Sequence, residues 1–223
     1  MKFSLIRGLF TAFTSILLAS CASIGFRDDV AETPPLTEQS YAERKNDKAV
    51  VLLDVNWGRK WGCADYQNAQ IITFTFDKMP EHSHAGGAAD LTLTTPNKLL
   101  VKPMFISYAF LLAPGEYALS STKIKVARSA SDVGYLIADR SHLLPGGKSY
   151  GSFRVNAGET VYIGNFSLDC HKQPMLWRYY TVEEKFSAHV GDYKRAYPFL
   201  DLSNVTYRLF ETEVFGQPYK AKK

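Results

Sequence analysis

Two histidines separated by one residue, His82 and His84, have the spacing best suited to metal chemistry in this 223-residue chain. Extended backbone would place both imidazoles on one side, and the nearby Met79 would suit copper. Pro80 and Gly86-Gly87 bracket the segment, however, which is typical of a solvated loop. We therefore predict no metal and no cofactor, with His82 and His84 as the alternative metal ligands.

Motifs that carry enzymatic chemistry are incomplete or missing from the sequence. Pro145 to Ser149 ends like a phosphate-binding loop, but the glycine required upstream would fall at His142. Adjacent carboxylates such as Glu183-Glu184 point apart on a regular element, so they do not form a two-carboxylate site. An HExxH motif does not occur. We predict that the chain is not an enzyme, with an envelope-polymer hydrolase as an alternative.

The N-terminus carries a targeting pattern. Lys2 precedes an uncharged apolar stretch, Gly8 to Ser20, which is too short to span a membrane and ends in small residues. This predicts a signal peptide over residues 1–20. Leu18-Ala19-Ser20-Cys21 resembles the lipobox of bacterial prolipoproteins, in which the cysteine is lipidated, becomes the new N-terminus and is acylated. The resemblance implies lipidation of Cys21, whereas an ordinary secretory signal would leave it a free thiol.

The residues after the cysteine bear on which membrane holds the chain. In enterobacteria-like organisms an Asp directly after the lipidated cysteine favours the inner membrane, and here Ala22 and Ser23 follow. We expect a lipid anchor in the outer membrane with the folded part in the periplasm. Several acyl chains, each contributing about 0.8 kcal/mol per buried methylene, would make that anchor stable.

The charge balance argues against nucleic acid as a partner. The chain has a formal charge of +4, and removal of residues 1–20, with two basic side chains and no acidic one, leaves +2. Lys220, Lys222 and Lys223 form a basic cluster in the segment 217–223, which we interpret as a solvated tail.

Cys63 and Cys170 are the two cysteines other than Cys21. An exported compartment permits disulfides, so we predict a bridge between them that closes a loop of about 100 residues. Two separate buried thiols and a metal pair are the alternatives. The metal pair would be unusual, because the two cysteines are far apart and neither belongs to a CxxC motif.

Aromatic and basic residues gather near both cysteines. If the disulfide forms, it brings the two groups together as a patch that could bind a glycan, a peptide or a partner protein by stacking and cation–π contacts. The alternative is that the rings are core packing around the bridge. The candidate patch residues are Trp57, Arg59, Lys60, Trp61, Trp177, Arg178 and Tyr179.

The elements that must position these residues follow from periodicity. Residues 21–47 are polar and include Pro34-Pro35, which predicts a flexible tether. The domain, 48–216, alternates apolar and polar residues with a period of two and is rich in β-branched and aromatic side chains. We predict a mainly β fold, an antiparallel β-sandwich with a short C-terminal helix. The strands are expected at Ala49 to Val55, Ile71 to Phe76, Asp90 to Thr94, Met104 to Leu112, Tyr117 to Ala127, Gly134 to Ala138, Tyr150 to Val155, Thr160 to Ser167 and Val205 to Val214, and the helix at Ala188 to Tyr197.

Turn chemistry separates several of these strands. Ala113-Pro114-Gly115-Glu116 suits a type II turn, and Asn156-Ala157-Gly158-Glu159 resembles a hairpin connection. Leu111 to Leu119 and Ala157 to Phe166, which contain parts of these turns and the strands that follow, resemble motifs of bacterial lipoproteins with transthyretin-like or carboxypeptidase-regulatory-like sandwiches. That resemblance covers about 60 residues, implies a binding or structural role, and carries no catalytic residues over.

These expectations lead to one functional hypothesis and two alternatives. We predict an envelope lipoprotein, anchored in a membrane, whose non-enzymatic sandwich binds a partner protein or a surface polymer. A periplasmic carrier of a metal or small ligand and the hydrolase named above are the alternatives.

Overall fold

The computed structural model describes residues 31–79, 88–96, 102–140, 150–179 and 183–212. Two helices and eleven strands lie in this part of the chain. In chain order they are α1 (Glu38–Arg44), β1 (Ala49–Asn56), β2 (Lys60–Cys63), β3 (Tyr66–Met79), β4 (Leu91–Thr94), β5 (Phe105–Leu112), β6 (Gly115–Ala127), β7 (Val133–Ala138), β8 (Ser152–Val155), β9 (Thr160–Asp169), β10 (Met175–Tyr179), α2 (Glu183–Ala196) and β11 (Val205–Tyr207).

The strands form two sheets that pack face to face. Sheet A has the order β10-β9-β1-β5, with β11 also paired to β9, and sheet B has the order β2-β3-β6-β7, with β4 beside β3 and β8 beside β6. Sheet B is antiparallel throughout, whereas β9 runs parallel to both β1 and β11 in sheet A. The predicted mainly β sandwich with a short C-terminal helix is confirmed, and the parallel pairs are a feature that periodicity does not reveal.

Strand β1 shows how alternation builds two cores. Val51, Leu53 and Val55 point into the space between the sheets and join the main core there. Val50 and Leu52 point to the other face of sheet A, where they pack with Phe186 and Tyr193 of α2. Because both faces of β1 are covered, the strand is an almost continuous apolar run.

Two connections predicted from turn chemistry cross between the sheets. The Pro114 turn leads from β5 in sheet A to β6 in sheet B, and Tyr117 after it donates a hydrogen bond to the carbonyl of Ala113 at 2.8 Å. The turn at Asn156 to Glu159 leads from β8 in sheet B to β9 in sheet A, so it is not a hairpin. Turn residues fix the local reversal, whereas the choice of sheet depends on packing.

Residues 31–47, which fall within the predicted tether of 21–47, pack against the domain. Thr37 caps α1 through a hydrogen bond from the Ser40 amide to its hydroxyl at 3.1 Å, and Ser40 completes the capping box. Leu36 is buried, and its amide donates to the carbonyl of Ala109 in β5 at 2.8 Å. Residues 31–47 are therefore part of the folded domain, because a single buried leucine and a capped helix outweigh the polar composition.

Several other expectations differ from the structure or lie outside the described residues. Strands β2 and β10 were not predicted, and the last strand is short, Val205–Tyr207, with an isolated bridge from Ser152 to Glu211. The predicted signal peptide, the lipobox-like segment with Cys21 and the predicted tail 217–223 lie outside the described residues. In the described ranges no helix is long and apolar enough to cross a membrane.

Candidate functional site

The disulfide between Cys63 and Cys170 is present and confirms the predicted pairing. Cys63 ends β2 in sheet B, and Cys170 directly follows β9 in sheet A, with 4.7 Å between the two Cα atoms. The bridge therefore fastens the two sheets to each other at one end of the sandwich. It joins residues 107 positions apart in the sequence.

Beside the bridge lies a surface that we call the disulfide patch, made of Arg59, Lys60, Trp61 and Tyr179. Trp61 is 59% exposed, and the guanidinium carbon of Arg59 lies 5.6 Å from its ring centroid. The Lys60 ammonium donates to the Leu168 carbonyl at 2.9 Å and lies 5.8 Å from the Tyr179 ring. The Tyr179 hydroxyl donates to that same carbonyl at 2.9 Å. Lys60 and Tyr179 thus join β2 to β10 beside the bridge, whereas Arg59 and Trp61 turn to the other face of β2, because neighbouring residues of a strand point to opposite faces. The disulfide patch therefore wraps around β2, the edge strand of sheet B.

Three of the predicted patch residues lie elsewhere. Trp57 is fully buried in the main core, where its indole N–H donates to the Tyr108 hydroxyl at 2.9 Å. Arg178 is also buried, and its Nε–H donates to the Phe210 carbonyl at 2.9 Å. Trp177 is half-buried and lines a cavity. Core packing therefore accounts for Trp57, because its large ring fills the space between the sheets.

That cavity, the open-edge cavity, lies between β7 at the edge of sheet B and β10 at the edge of sheet A. Its volume is about 510 Å³. Core residues Leu119, Ile124, Phe166 and Phe210 form part of its wall. The cavity therefore gives access from the surface to the apolar space between the sheets.

A second site is built around a buried carboxylate, Asp54, on the face of β1 that α2 covers. Ser107 donates to its Oδ1 at 2.6 Å, Tyr162 to its Oδ2 at 2.8 Å, and Tyr193 to its Oδ1 at 3.2 Å. Burial raises the pKa of Asp54, and hydrogen bonds from these hydroxyls oppose that rise. Burial also raises the pKa of Tyr193 well above its usual value.

Above this network opens what we call the Asp54 cleft, with a volume of about 670 Å³. Its floor includes Ser107, Asp54 and Asn165, which stand side by side on β5, β1 and β9. On α2, Asp192 pairs with Arg195 and lies 3.5 Å from Nδ1 of His189. The lining residues are Asp54, Phe105, Ile106, Ser107, Asn165, His189, Asp192, Arg195 and Ala196.

A β-bulge in β9 brings Asn165 to this cleft. Leu52 of β1 pairs with Tyr162 of β9, and the next pair is Asp54 with Asn165. Strand β1 advances two residues between these pairs and β9 advances three, so β9 contains one extra residue. Gly164, with φ +117°, supplies the backbone conformation that the extra residue needs. As a result Tyr162 and Asn165 lie on the same face of the sheet, which three-residue spacing in a regular strand would not allow.

The alternative metal site cannot be located, because His82 and His84 lie outside the described residues. Within the described ranges, no group of three or more His, Cys, Asp or Glu side chains could hold a metal ion.

Sequence reasoning missed Asp54, Asn165 and both cavities. Two signals were available. Asp54 is the one charged residue in the apolar run of β1, and such a residue is buried only with partners. Gly164 stands inside a strand, where glycine often marks a bulge. Tyr162 and Gly164 also belong to the motif that resembles the lipoprotein sandwiches. In the structure Tyr162 donates a hydrogen bond to Asp54, and Gly164 lies in the bulge.

No protein-family model matches this chain, and neither a curated protein nor a solved structure matches it.

Proposed function

We propose that this protein is a lipoprotein of the cell envelope, lipid-anchored through Cys21 in the outer membrane and facing the periplasm. Its sandwich acts as a non-enzymatic binding domain for a surface polymer or a partner protein. The disulfide patch is the binding surface. The observation that carries this proposal is the exposed ring of Trp61 with the Arg59 guanidinium beside it.

Rigidity and chemistry support the patch as a binding surface. Aromatic and arginine side chains dominate the energetics of many interfaces, and tryptophan offers a large ring with few rotatable bonds. The adjacent disulfide and the hydrogen bonds of Lys60 and Tyr179 to Leu168 hold the patch in place before any partner arrives. Less conformational entropy is then lost on binding.

Trp61→Ala is expected to weaken binding to isolated envelope polymers by about tenfold or more, since hot-spot aromatics contribute at least about 2 kcal/mol. The assay is co-sedimentation of the full chain, purified in detergent, with peptidoglycan and with lipopolysaccharide, followed by pull-down on detergent-solubilised envelope proteins. Tyr41→Ala is the control, because Tyr41 also has an ammonium beside its ring, that of Lys45 at 5.6 Å, and packs on the outer face of sheet A, away from Trp61. Equal loss in both variants, or no loss with Trp61→Ala, contradicts the proposed surface.

The open-edge cavity favours a second candidate function, that of a carrier for a small apolar ligand. Cavities of several hundred Å³ lined by apolar side chains are typical ligand sites. Ala138 lines the cavity from β7, whereas Val133 on the same strand is exposed and lies outside it.

Ala138→Trp is therefore expected to abolish saturable binding of the neutral fluorophore N-phenyl-1-naphthylamine, because the larger ring fills the cavity. Val133→Trp, the matched control, should bind as the wild type does. The measurement is fluorescence enhancement on titration, and unchanged binding in Ala138→Trp would rule out the cavity as the carrier site.

A further inference from the structure

We infer that the Asp54 cleft is a binding site for a neutral carbohydrate, such as one or two sugar residues of an envelope glycan. The cleft combines a row of polar groups on its floor, Ser107, Asp54 and Asn165, with an exposed aromatic ring, Phe105, at its rim. This site is separate from the disulfide patch and does not depend on the function proposed for it.

Asn165 is the residue that points most directly to a ligand. It is only 8% exposed, and no group in the described part of the chain hydrogen-bonds with its carboxamide. Its amide atoms are open to the cleft, so a ligand or water there would take up their hydrogen-bonding capacity. The bulge at Gly164 directs Asn165 to the cleft, and bulges commonly re-aim side chains beside functional sites. An amide offers two donors and an acceptor, which matches the mixed donors and acceptors of sugar hydroxyls.

The charges of the cleft favour a neutral ligand. An anion would meet the Asp54 and Asp192 carboxylates. A cation would find Asp54 already accepting three hydroxyl hydrogen bonds, and Asp192 already paired with Arg195. A sugar hydroxyl, by contrast, can accept from or donate to the Asn165 carboxamide without bringing charge into the site.

The rim supplies the apolar contact that sugar rings need. Phe105 is 61% exposed, and the adjacent Met104 is 39% exposed. An aromatic face beside polar groups can cover the C–H face of a sugar ring while the hydroxyls reach the floor. Across the sheet, Asn165 on β9 pairs in register with Tyr179 of the disulfide patch on β10. A glycan chain leaving the cleft would therefore pass toward that patch.

The test is isothermal titration of the full chain, purified in detergent, with three neutral probes: chitotriose, maltotriose and cellotriose. Tri-galacturonate and spermidine serve as anionic and cationic comparators. We expect saturable binding of at least one neutral probe and none of the charged ones. Asn165→Ala and Phe105→Ala should each weaken that binding about tenfold or more. Ser167→Ala, on the same strand and outside the cleft lining, should leave it unchanged.

Phe105→Ala keeps the test decisive if Asn165→Ala unfolds, because Phe105 is exposed and its truncation leaves the core intact. Trp61→Ala separates this inference from the proposed function: oligosaccharide binding should survive it even where polymer binding is lost. Absence of binding by all three neutral probes overturns the inference. Preference for a charged probe, or binding unaffected by Phe105→Ala, overturns it as well.

Discussion

Cys170→Ser is expected to lower the free energy of unfolding by about 4 kcal/mol, the largest effect of any single change considered for this chain. The bridge closes a loop of 107 residues between the two sheets, and in the chain-entropy model a loop of that length contributes roughly 4 to 5 kcal/mol. Cys170 is the better site for substitution, since Cys63 is fully buried and its replacement would also disturb the core. Urea unfolding at neutral pH measures the change.

Reduced wild-type protein is the natural comparison for this variant. It should unfold at the same urea concentration as Cys170→Ser, and reductant should not shift the variant. If oxidised wild type and Cys170→Ser have equal midpoints, the bridge does not stabilise the domain. The rigid disulfide patch would then lose its main support.

Asp54→Ala is expected to lower the free energy of unfolding by about 3 kcal/mol, because Ser107, Tyr162 and Tyr193 all lose an acceptor. Tyr193 is fully buried, so water cannot readily replace the carboxylate there. Asp132→Ala is the control, since the Asp132 side chain is 59% exposed and its ion pair with Arg128 is a surface pair worth little. A loss in Asp54→Ala no larger than in the control would contradict a structural role for this network.

Asp54 should also make stability depend on pH. Its folded pKa is raised above the unfolded value of about 3.9, so the folded protein holds the proton more tightly. Its contribution is therefore greatest below the unfolded pKa and decreases as pH rises through the folded pKa. Glu159 acts in the opposite direction, because Arg208 lowers its pKa to about 2 and that contribution is lost as pH falls.

Comparison of Glu159→Gln with Glu159→Gln/Asp54→Asn isolates the Asp54 effect. The single variant should lose stability as pH rises through the folded pKa of Asp54, and the double variant should not. Urea midpoints at a series of pH values measure the slope. Parallel curves for the two variants would show that Asp54 titrates alike in the folded and unfolded states.

The fold could be predicted from this sequence because local signals and packing agree in most strands. The apolar runs of β1 and β5, rich in β-branched and aromatic residues, and the Pro114 turn each fix a strand or its end. Strand β10 escaped prediction because Met175-Leu176-Trp177-Arg178-Tyr179 has no alternation, and its pairing with β9 depends on the reversal at the disulfide. The order of segment 31–47 could not be predicted, because contacts with β5 hold the segment in place and composition does not encode those contacts.

The candidate sites were predicted less completely, for a physical reason. The disulfide patch followed from two cysteines and the prediction of an oxidising compartment, yet sequence alone could not separate buried Trp57 from exposed Trp61, four residues away. The Asp54 cleft needs residues from β1, β5, β9 and α2, and only the parallel β1–β9 pairing and the bulge at Gly164 bring Asp54 and Asn165 together. Neither the parallel pairing nor the bulge produces a periodic pattern in the sequence.

Metabolic labelling with palmitate in the native host tests whether the sandwich is held at a membrane through Cys21. The lipobox predicts that wild-type chain takes up the label. Cys21→Ala should take up none and should remain an uncleaved or mis-sorted precursor, because the thiol that receives the diacylglyceryl group is gone. Cys170→Ser, which keeps Cys21, should be labelled as the wild type is. Equal label in wild type and Cys21→Ala would contradict the account.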